Sequence, residues 1–248
     1  MGHTLTVVTG GSRGIGAATV LGLACAGHDV VFSFRSDAES ADRVRTKATA
    51  TGVDCVAVKA DVTEPADVER LFEAAAEIGT ITGLVNNAGL TAHLADLADT
   101  PVEVIRNVID VNLVGAVLCA RQAILAMSTR RGGRGGAIVN VSSAASTLGS
   151  PHEYVHYAAA KAGVDALTVG LAKELADDGI RVNAVAPGIV NTDIHGAAGD
   201  PGRAERVVSR IPMGRAAEPE EIAPAIVWLL SPEAAYASGA VLRVAGGV

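Results

Sequence analysis

The run Leu5-Thr6-Val7-Val8-Thr9-Gly10-Gly11-Ser12-Arg13-Gly14-Ile15-Gly16 passes from an apolar, β-rich strand pattern into a glycine-punctuated turn, and the helical pattern Gly14–Ala26 follows at once. Its spacing is T-G-x-x-x-G-x-G rather than G-x-G-x-x-G, but it sits in the strand–turn–helix context that matters. The glycines permit a tight turn and a close backbone approach to a pyrophosphate. That group then rests at the helix N-terminus, where amide N–H groups point outward. Gly10, Ser12, Arg13, Gly14, Ile15 and Gly16 are therefore assigned to a dinucleotide.

Outward from this unit the same rhythm repeats. Strand patterns are read at Leu5–Thr9, Val30–Phe34, Val53–Lys59, Gly83–Asn87, Ala137–Ser142, Arg181–Ala186 and Ala240–Val244. Helical patterns fill the gaps at Gly14–Ala26, Ala38–Ala50, Pro65–Ile78, Val102–Met127, Val155–Asp178 and Pro219–Leu230. Thr63 before Pro65 and Thr100 before Pro101 read as helix start signals. Alternating β and α units with continuously apolar strands predict a single α/β domain over residues 1–248, a doubly wound parallel sheet of about seven strands with helices on both faces.

The end of the second strand bears on the cofactor's 2′ position. An NAD site places Asp or Glu there to accept from the ribose hydroxyl. Here Phe34 is followed by Arg35 and Ser36, a guanidinium and a hydroxyl that suit a phosphate, with Arg13 as a second positive charge. The reading is NADP(H) over NAD(H), with the nearby Asp37 as the argument for the other side.

Tyr157-Ala158-Ala159-Ala160-Lys161 places a phenol and an ammonium one turn apart on one helix face. A free tyrosine titrates near about 10, and an adjacent positive charge lowers that value. The outcome is a proton donor and acceptor usable near neutral pH, as carbonyl reduction or alcohol oxidation requires. An isolated pair of this kind is most commonly a solvated helix face, so the weight comes from its surroundings. Ser143 lies fourteen residues upstream.

Composition narrows the rest. Net charge is −7, giving no basic field for nucleic acid. Arg130, Arg131 and Arg134 sit among glycines and read as a solvated turn. Cys25, Cys55 and Cys119 form no metal-binding spacing and read as three buried free thiols of a reducing compartment. No signal peptide is recognised, and the closest apolar run, Ile222–Leu230 with Pro224 inside it, is short for a membrane span of about 18 residues. The expected setting is cytoplasmic, with no membrane, no nucleic acid and no bound metal.

With these pieces assembled, the chain resembles the short-chain dehydrogenase/reductase family from Thr4 to Gly247, with the style of bacterial 3-oxoacyl-carrier-protein reductases and glucose dehydrogenases. Thr9–Gly16 is similar to the family's cofactor loop, and Asn86-Asn87-Ala88-Gly89 to its motif closing the fourth strand. Asn112 matches its helix asparagine, Ser143 its serine, and Tyr157 with Lys161 its Y-x-x-x-K pair. Asp61-Val62 resembles the pair that meets adenine. Pro187-Gly188, through Ile189 and Val190 to Thr192, resembles the segment that holds the nicotinamide carboxamide. The resemblance implies a Rossmann-type fold and hydride transfer between nicotinamide and a small carbonyl or alcohol. In that scheme Ser143 holds the substrate oxygen, Tyr157 moves the proton, Lys161 lowers the Tyr157 pKa and contacts the ribose, and Asn112 holds a water. Asn87, Ala88 and Gly89 join the cofactor set. The helices Val102–Met127 and Val155–Asp178 pair between subunits in relatives, which implies a homotetramer.

Several alternatives stay open. The Ser143–Tyr157 interval is fourteen where many members have thirteen, so Ser142 is a second candidate hydroxyl. Tyr154 lacks a lysine four residues on and is read as a lining phenol. His93, His152, His156 and His195 near the pocket mouth read as surface or satisfied residues. The Gly/Pro-punctuated stretch 188–215, with a short helical candidate at Arg203–Arg210, is either a substrate lid or a surface insertion. An NADP(H)-binding regulator without turnover, and an epimerase or dehydratase on the same scaffold, are the competing functions.

Overall fold

The computed structural model describes residues 4–192, 202, 206 and 208–248. Its strands are β1 (Thr4–Val8), β2 (His28–Phe34), β3 (Cys55–Lys59), β4 (Ile81–Asn86), β5 (Gly136–Val141), β6 (Ile180–Pro187) and β7 (Val241–Val244), forming one parallel sheet in the order β3-β2-β1-β4-β5-β6-β7. The helices are α1 (Gly14–Cys25), α2 (Ala38–Thr49), α3 (Pro65–Ile78), α4 (Val102–Ile109), α5 (Gly115–Met127), α6 (Ala145–Leu148), α7 (Val155–Glu174) and α8 (Pro219–Leu230). The seven expected strands are all present, with ends moved by one or two residues. The expected helix Val102–Met127 contains a π-turn at Asp110–Val114, and Val155–Asp178 finishes in a 3-10 turn from Ala176.

Neighbouring strand residues feed opposite cores because successive side chains of a strand point to opposite faces. Val7, Val31, Leu84 and Ile138 pack with α3, α5 and α7. Val8, Phe32, Val85 and Val139 pack with α1, α2 and α8. Each fully buried side chain of this size contributes about 1.5–3 kcal/mol. That two-sided demand explains why these strands read as unbroken apolar runs.

A buried polar chain crosses one of these layers. Asn86 Nδ2 donates to Ala116 O (3.1 Å) and to Asn140 Oδ1 (2.9 Å), and Asn140 Nδ2 donates to Thr168 Oγ1 (2.8 Å). It ties α5, β4, β5 and α7 together, and the last of these carries Tyr157 and Lys161.

Several local expectations are corrected. Thr63 and Thr100 do not cap helices: Thr63 Oγ1 donates to Asp61 Oδ1 and Thr100 Oγ1 to Asp96 O. Cys25 is exposed at the end of α1, whereas burial raises the Cys55 thiol to about 11 and the Cys119 thiol to about 12. Arg130 is not merely solvated, since its guanidinium pairs with the buried Asp178 and fastens the turn before β5 to the end of α7. The helix α8 runs through Pro224 without a break. Among the described residues Val102–Met127, not Ile222–Leu230, is the most membrane-like segment: it is 26 residues long and contains an 18-residue window of mean hydropathy 1.6. Its apolar residues Cys119, Ala120, Ala123 and Met127 are in the core. Residues 193–201, 203–205 and 207 of the stretch 188–215, His195 and Arg203 among them, lie outside the described residues, while its base is pinned by pairing of Val190 with Ala217.

Asn140→Ala is expected to leave Asn86 and Thr168 short of partners, at about 1–3 kcal/mol for each group unpaired. Urea unfolding of the variant against the parent protein measures it.

Candidate active site

Between β1 and β4 the chain leaves the sheet toward opposite faces, β1 into α1 and β4 toward α4. A crevice opens at that switch point, above the carboxyl ends of the strands. Gly10 (φ +66°) and Gly14 (φ +54°) adopt backbone conformations that favour glycine. A Cβ on Gly16 would stand 2.1 Å from Gly10 O and 2.5 Å from Asn87 Nδ2, so only glycine fits.

The loop is held from both sides. Thr9 Oγ1 accepts from Asn87 N (3.0 Å) and Ala88 N (2.9 Å), while Asn87 Nδ2 donates to Thr9 O (2.9 Å) and Gly10 O (3.0 Å). Ser33 of β2 accepts from Gly10 N through its hydroxyl (3.1 Å). Thr9 heads the T-G-x-x-x-G-x-G motif, but its hydrogen bonds to the end of β4 are not visible in the sequence, and Ser33 has no motif to mark it.

One cleft takes in all the sequence-assigned positions. Toward the ends of β1, β2 and β3 it is lined by Gly10, Ser12, Arg13, Gly14, Ile15, Gly16, Arg35, Ser36, Asp61 and Val62. Its middle is lined by Asn87, Ala88 and Gly89, and its far end by Asn112, Ser143, Tyr157 and Lys161 with Pro187, Gly188, Ile189, Val190 and Thr192. Asp37 also lines it, but its carboxylate caps α2, accepting from Ser40 N (2.9 Å) and Ser40 Oγ (2.6 Å). Those bonds, the hydroxyl one first, hold its pKa below the usual carboxylate value.

At the far end, Lys161 is buried and its Nζ donates to Val141 O (2.8 Å). Burial lowers its pKa to about 8, with Asp165 opposing the shift. Nζ stands 5.7 Å from the centroid of the Tyr157 ring. Ser143 Oγ accepts from Ala145 N (3.1 Å), whereas the buried Ser142 turns its hydroxyl toward Lys161 O (3.4 Å). Of the two serines, Ser143 is the more accessible.

Asn112 lies within the π-turn, a feature frequent at functional sites. Its Nδ2 donates to Leu90 O (2.7 Å) and Val108 O (2.8 Å), while its buried Oδ1 has no hydrogen-bond partner among the described residues. A Cβ on Gly89 would stand 2.8 Å from that oxygen and 3.5 Å from Lys161 Nζ, so glycine keeps this corner open.

A family model described as enoyl-(acyl carrier protein) reductase matches residues 10–248. The chain is 45% identical over 244 residues to the uncharacterized oxidoreductase YgfF of Escherichia coli K12, covering 98% of this chain and 99% of that protein. The chain belongs to the short-chain dehydrogenase/reductase family. Another member, a 3-oxoacyl-(acyl-carrier-protein) reductase of Synechocystis, is 39% identical over 246 residues, covering 98% of this chain and 96% of its own. Among solved structures of the family, a short chain dehydrogenase from Burkholderia cenocepacia J2315 in complex with NADP superposes with a TM-score of 0.90 at 32% identity, over 98% of this chain and 97% of that one. Membership makes this protein an oxidoreductase of hydroxyl and carbonyl groups.

The histidines separate by burial. His93 and His152 are exposed, and the His152 Nδ1–H donates to Asp96 Oδ1 (2.8 Å). His156 is instead buried, which lowers its pKa against a smaller opposing contribution from the Ala92 backbone. Its unfolded form therefore binds more protons just below the ordinary value of 6.5, so its contribution to stability is lost as pH falls through that window. His28, also lowered by burial, acts in the same sense. His156→Gln is expected to make the decline of Tm between about pH 7 and pH 5 shallower, read by thermal melts across that range.

Proposed function

We propose that this protein transfers a hydride between NADP(H) and a secondary alcohol or carbonyl, with Tyr157 as general acid and base. The observation that carries the reading is the meeting of Ser143, Tyr157, Lys161 and Asn112 at one end of a single cleft, with Arg13 and Arg35 at the other.

The residues fit a nicotinamide dinucleotide. Glycine at position 89 keeps the corner beside Asn112 and Lys161 clear of a side chain, and Asn112 Oδ1 is a buried acceptor awaiting a donor. The Gly10–Gly16 loop and the α1 N-terminus would hold the pyrophosphate, and Asp61 with Val62 the adenine. Arg13, Arg35 and Ser36 would hold a 2′-phosphate, a reading helped by the engagement of Asp37 in capping α2. Pro187, Gly188, Ile189, Val190 and Thr192 would border the nicotinamide, which when bound supplies or accepts the hydride.

The chain's own residues supply position and proton. Ser143 donates to the substrate oxygen and stabilises charge developing there. Tyr157 gives its proton to that oxygen in reduction and takes it back in oxidation. Lys161, fixed by Val141 O, favours the phenolate through its charge. Asn112 offers Oδ1 to a water that connects Lys161 to solvent.

Val114 of the π-turn, Val117 and Leu125 on α5, Val169 on α7, and Trp228, Tyr236, Val241 and Leu242 are exposed apolar side chains. Exposed apolar residues of this kind on the two helices suit the subunit contacts of a homotetramer. The free thiols of Cys55 and Cys119 fit the cytoplasm.

NADPH oxidation is expected over a carbonyl panel, with Tyr157→Phe losing at least about a hundredfold in kcat while NADPH still binds. Turnover near the parent rate in that variant would exclude the assignment. Arg35→Ala should raise KM for NADPH by roughly tenfold to a hundredfold and leave NADH unchanged, the value of one charge-assisted hydrogen bond. Light scattering should return four times the 25.0 kDa chain mass.

A further inference from the structure

Tyr154 is the phenol that the Y-x-x-x-K pattern leaves without a lysine, yet it is buried in the wall of the same cleft. It stands immediately before α7 as the residue at its N-cap, and its carbonyl accepts from Tyr157 N (3.0 Å) and Ala158 N (3.1 Å). Its ring lies 5.4 Å from the Tyr157 ring, centroid to centroid, at 85°. That perpendicular geometry is favoured between aromatic rings and contributes beyond simple burial. Tyr157 is therefore bounded by the Tyr154 ring and by the Lys161 ammonium, 5.7 Å from its centroid.

We propose that Tyr154 is a positioning residue whose ring holds the Tyr157 phenol in the orientation where Lys161 acts on it. It takes no proton and touches no reacting atom. Its two contributions have one target: the backbone caps the first turn bearing Tyr157, and the ring limits that side chain's rotation. An aliphatic residue here keeps the cap and much of the apolar volume but gives up the perpendicular ring contact. The phenol then samples orientations farther from the ammonium, and the phenolate loses part of its support. Displacements of about 1 Å at a reacting group can cost a hundredfold in rate.

This inference rests on the proposed role of Tyr157, and its test separates the two. The chain has only three tyrosines, so ultraviolet titration of tyrosinate reports on Tyr157 without substrate or cofactor. Tyr157→Phe identifies its component. Tyr154→Leu is expected to move that component upward by about one pH unit, since a weakened opposite charge favours the neutral phenol. It should also lower kcat about tenfold, with the dissociation constant for NADPH unchanged. Tyr154→Phe, which restores the ring, should return both readings to those of the parent. An unmoved Tyr157 titration in Tyr154→Leu, or an equal shift in Tyr154→Phe, overturns the proposal. A titration shift with no turnover of any carbonyl by the parent protein supports the positioning role and overturns the oxidoreductase mechanism instead.

Discussion

The hydrogen bonds that Thr9 exchanges with Asn87 and Ala88 are the constraint on which the site depends. They join the ends of β1 and β4, the two central strands whose following segments leave to opposite faces. A crevice of this kind exposes backbone groups that the sheet no longer pairs, and buried backbone groups must find partners. Thr9 and Asn87 provide them with side chains, and Ser33 does the same from β2. The glycine loop is thereby fixed before any ligand arrives. Gly16 is the packing consequence, because a methyl there would occupy the space already held by Gly10 O and Asn87 Nδ2.

At the other end the governing quantity is the cost of burying an ammonium. Lys161 is enclosed, and burial alone would drive it toward neutrality. The opposing charge of Asp165 tempers the shift, which stops at about 8, and Nζ donates to the Val141 carbonyl. An ammonium has three donors. A buried charge of this kind is tolerated when ligands complete its hydrogen bonding, and it is correspondingly sensitive to changes in what surrounds it.

How much of this was legible follows from the range of the interactions. The strands could be read because both faces of the sheet demand apolar residues, and helices Pro65–Ile78 and Pro219–Leu230 fall as expected. The glycine loop and the Tyr157–Lys161 spacing are local backbone statements, and their positions line one cleft. Features set by distant partners were not legible. Arg130 looks solvated until Asp178, far along the chain, is beside it. The Asn86–Asn140–Thr168 chain joins residues far apart in sequence, and the π-turn at Asp110–Val114 has no periodicity that marks it.

The two ends of the cleft differ in the same way. Where β1, β2 and β3 finish, Arg13, Arg35, Asp37 and Asp61 border it, and a charged, backbone-lined region suits a ligand of fixed shape. At the other end, among the described residues, Lys161 is the one charged side chain of the lining, and it sits at the buried floor. Around it stand Leu90, Thr91, Ala144, Leu148, Ser150, Tyr154 and Ile189, drawn from three separate connections. Such walls discriminate by shape and by neutral hydrogen bonds rather than by charge, and a hydrophobic pocket separates near-identical ligands weakly. A fold that fixes the nucleotide end through glycine geometry can thus vary its substrate end by loop substitution while the sheet and its Thr9–Asn87 stitch stay unchanged. Cofactor chemistry is for that reason readable from short motifs, while substrate preference is a property of loop side chains acting together.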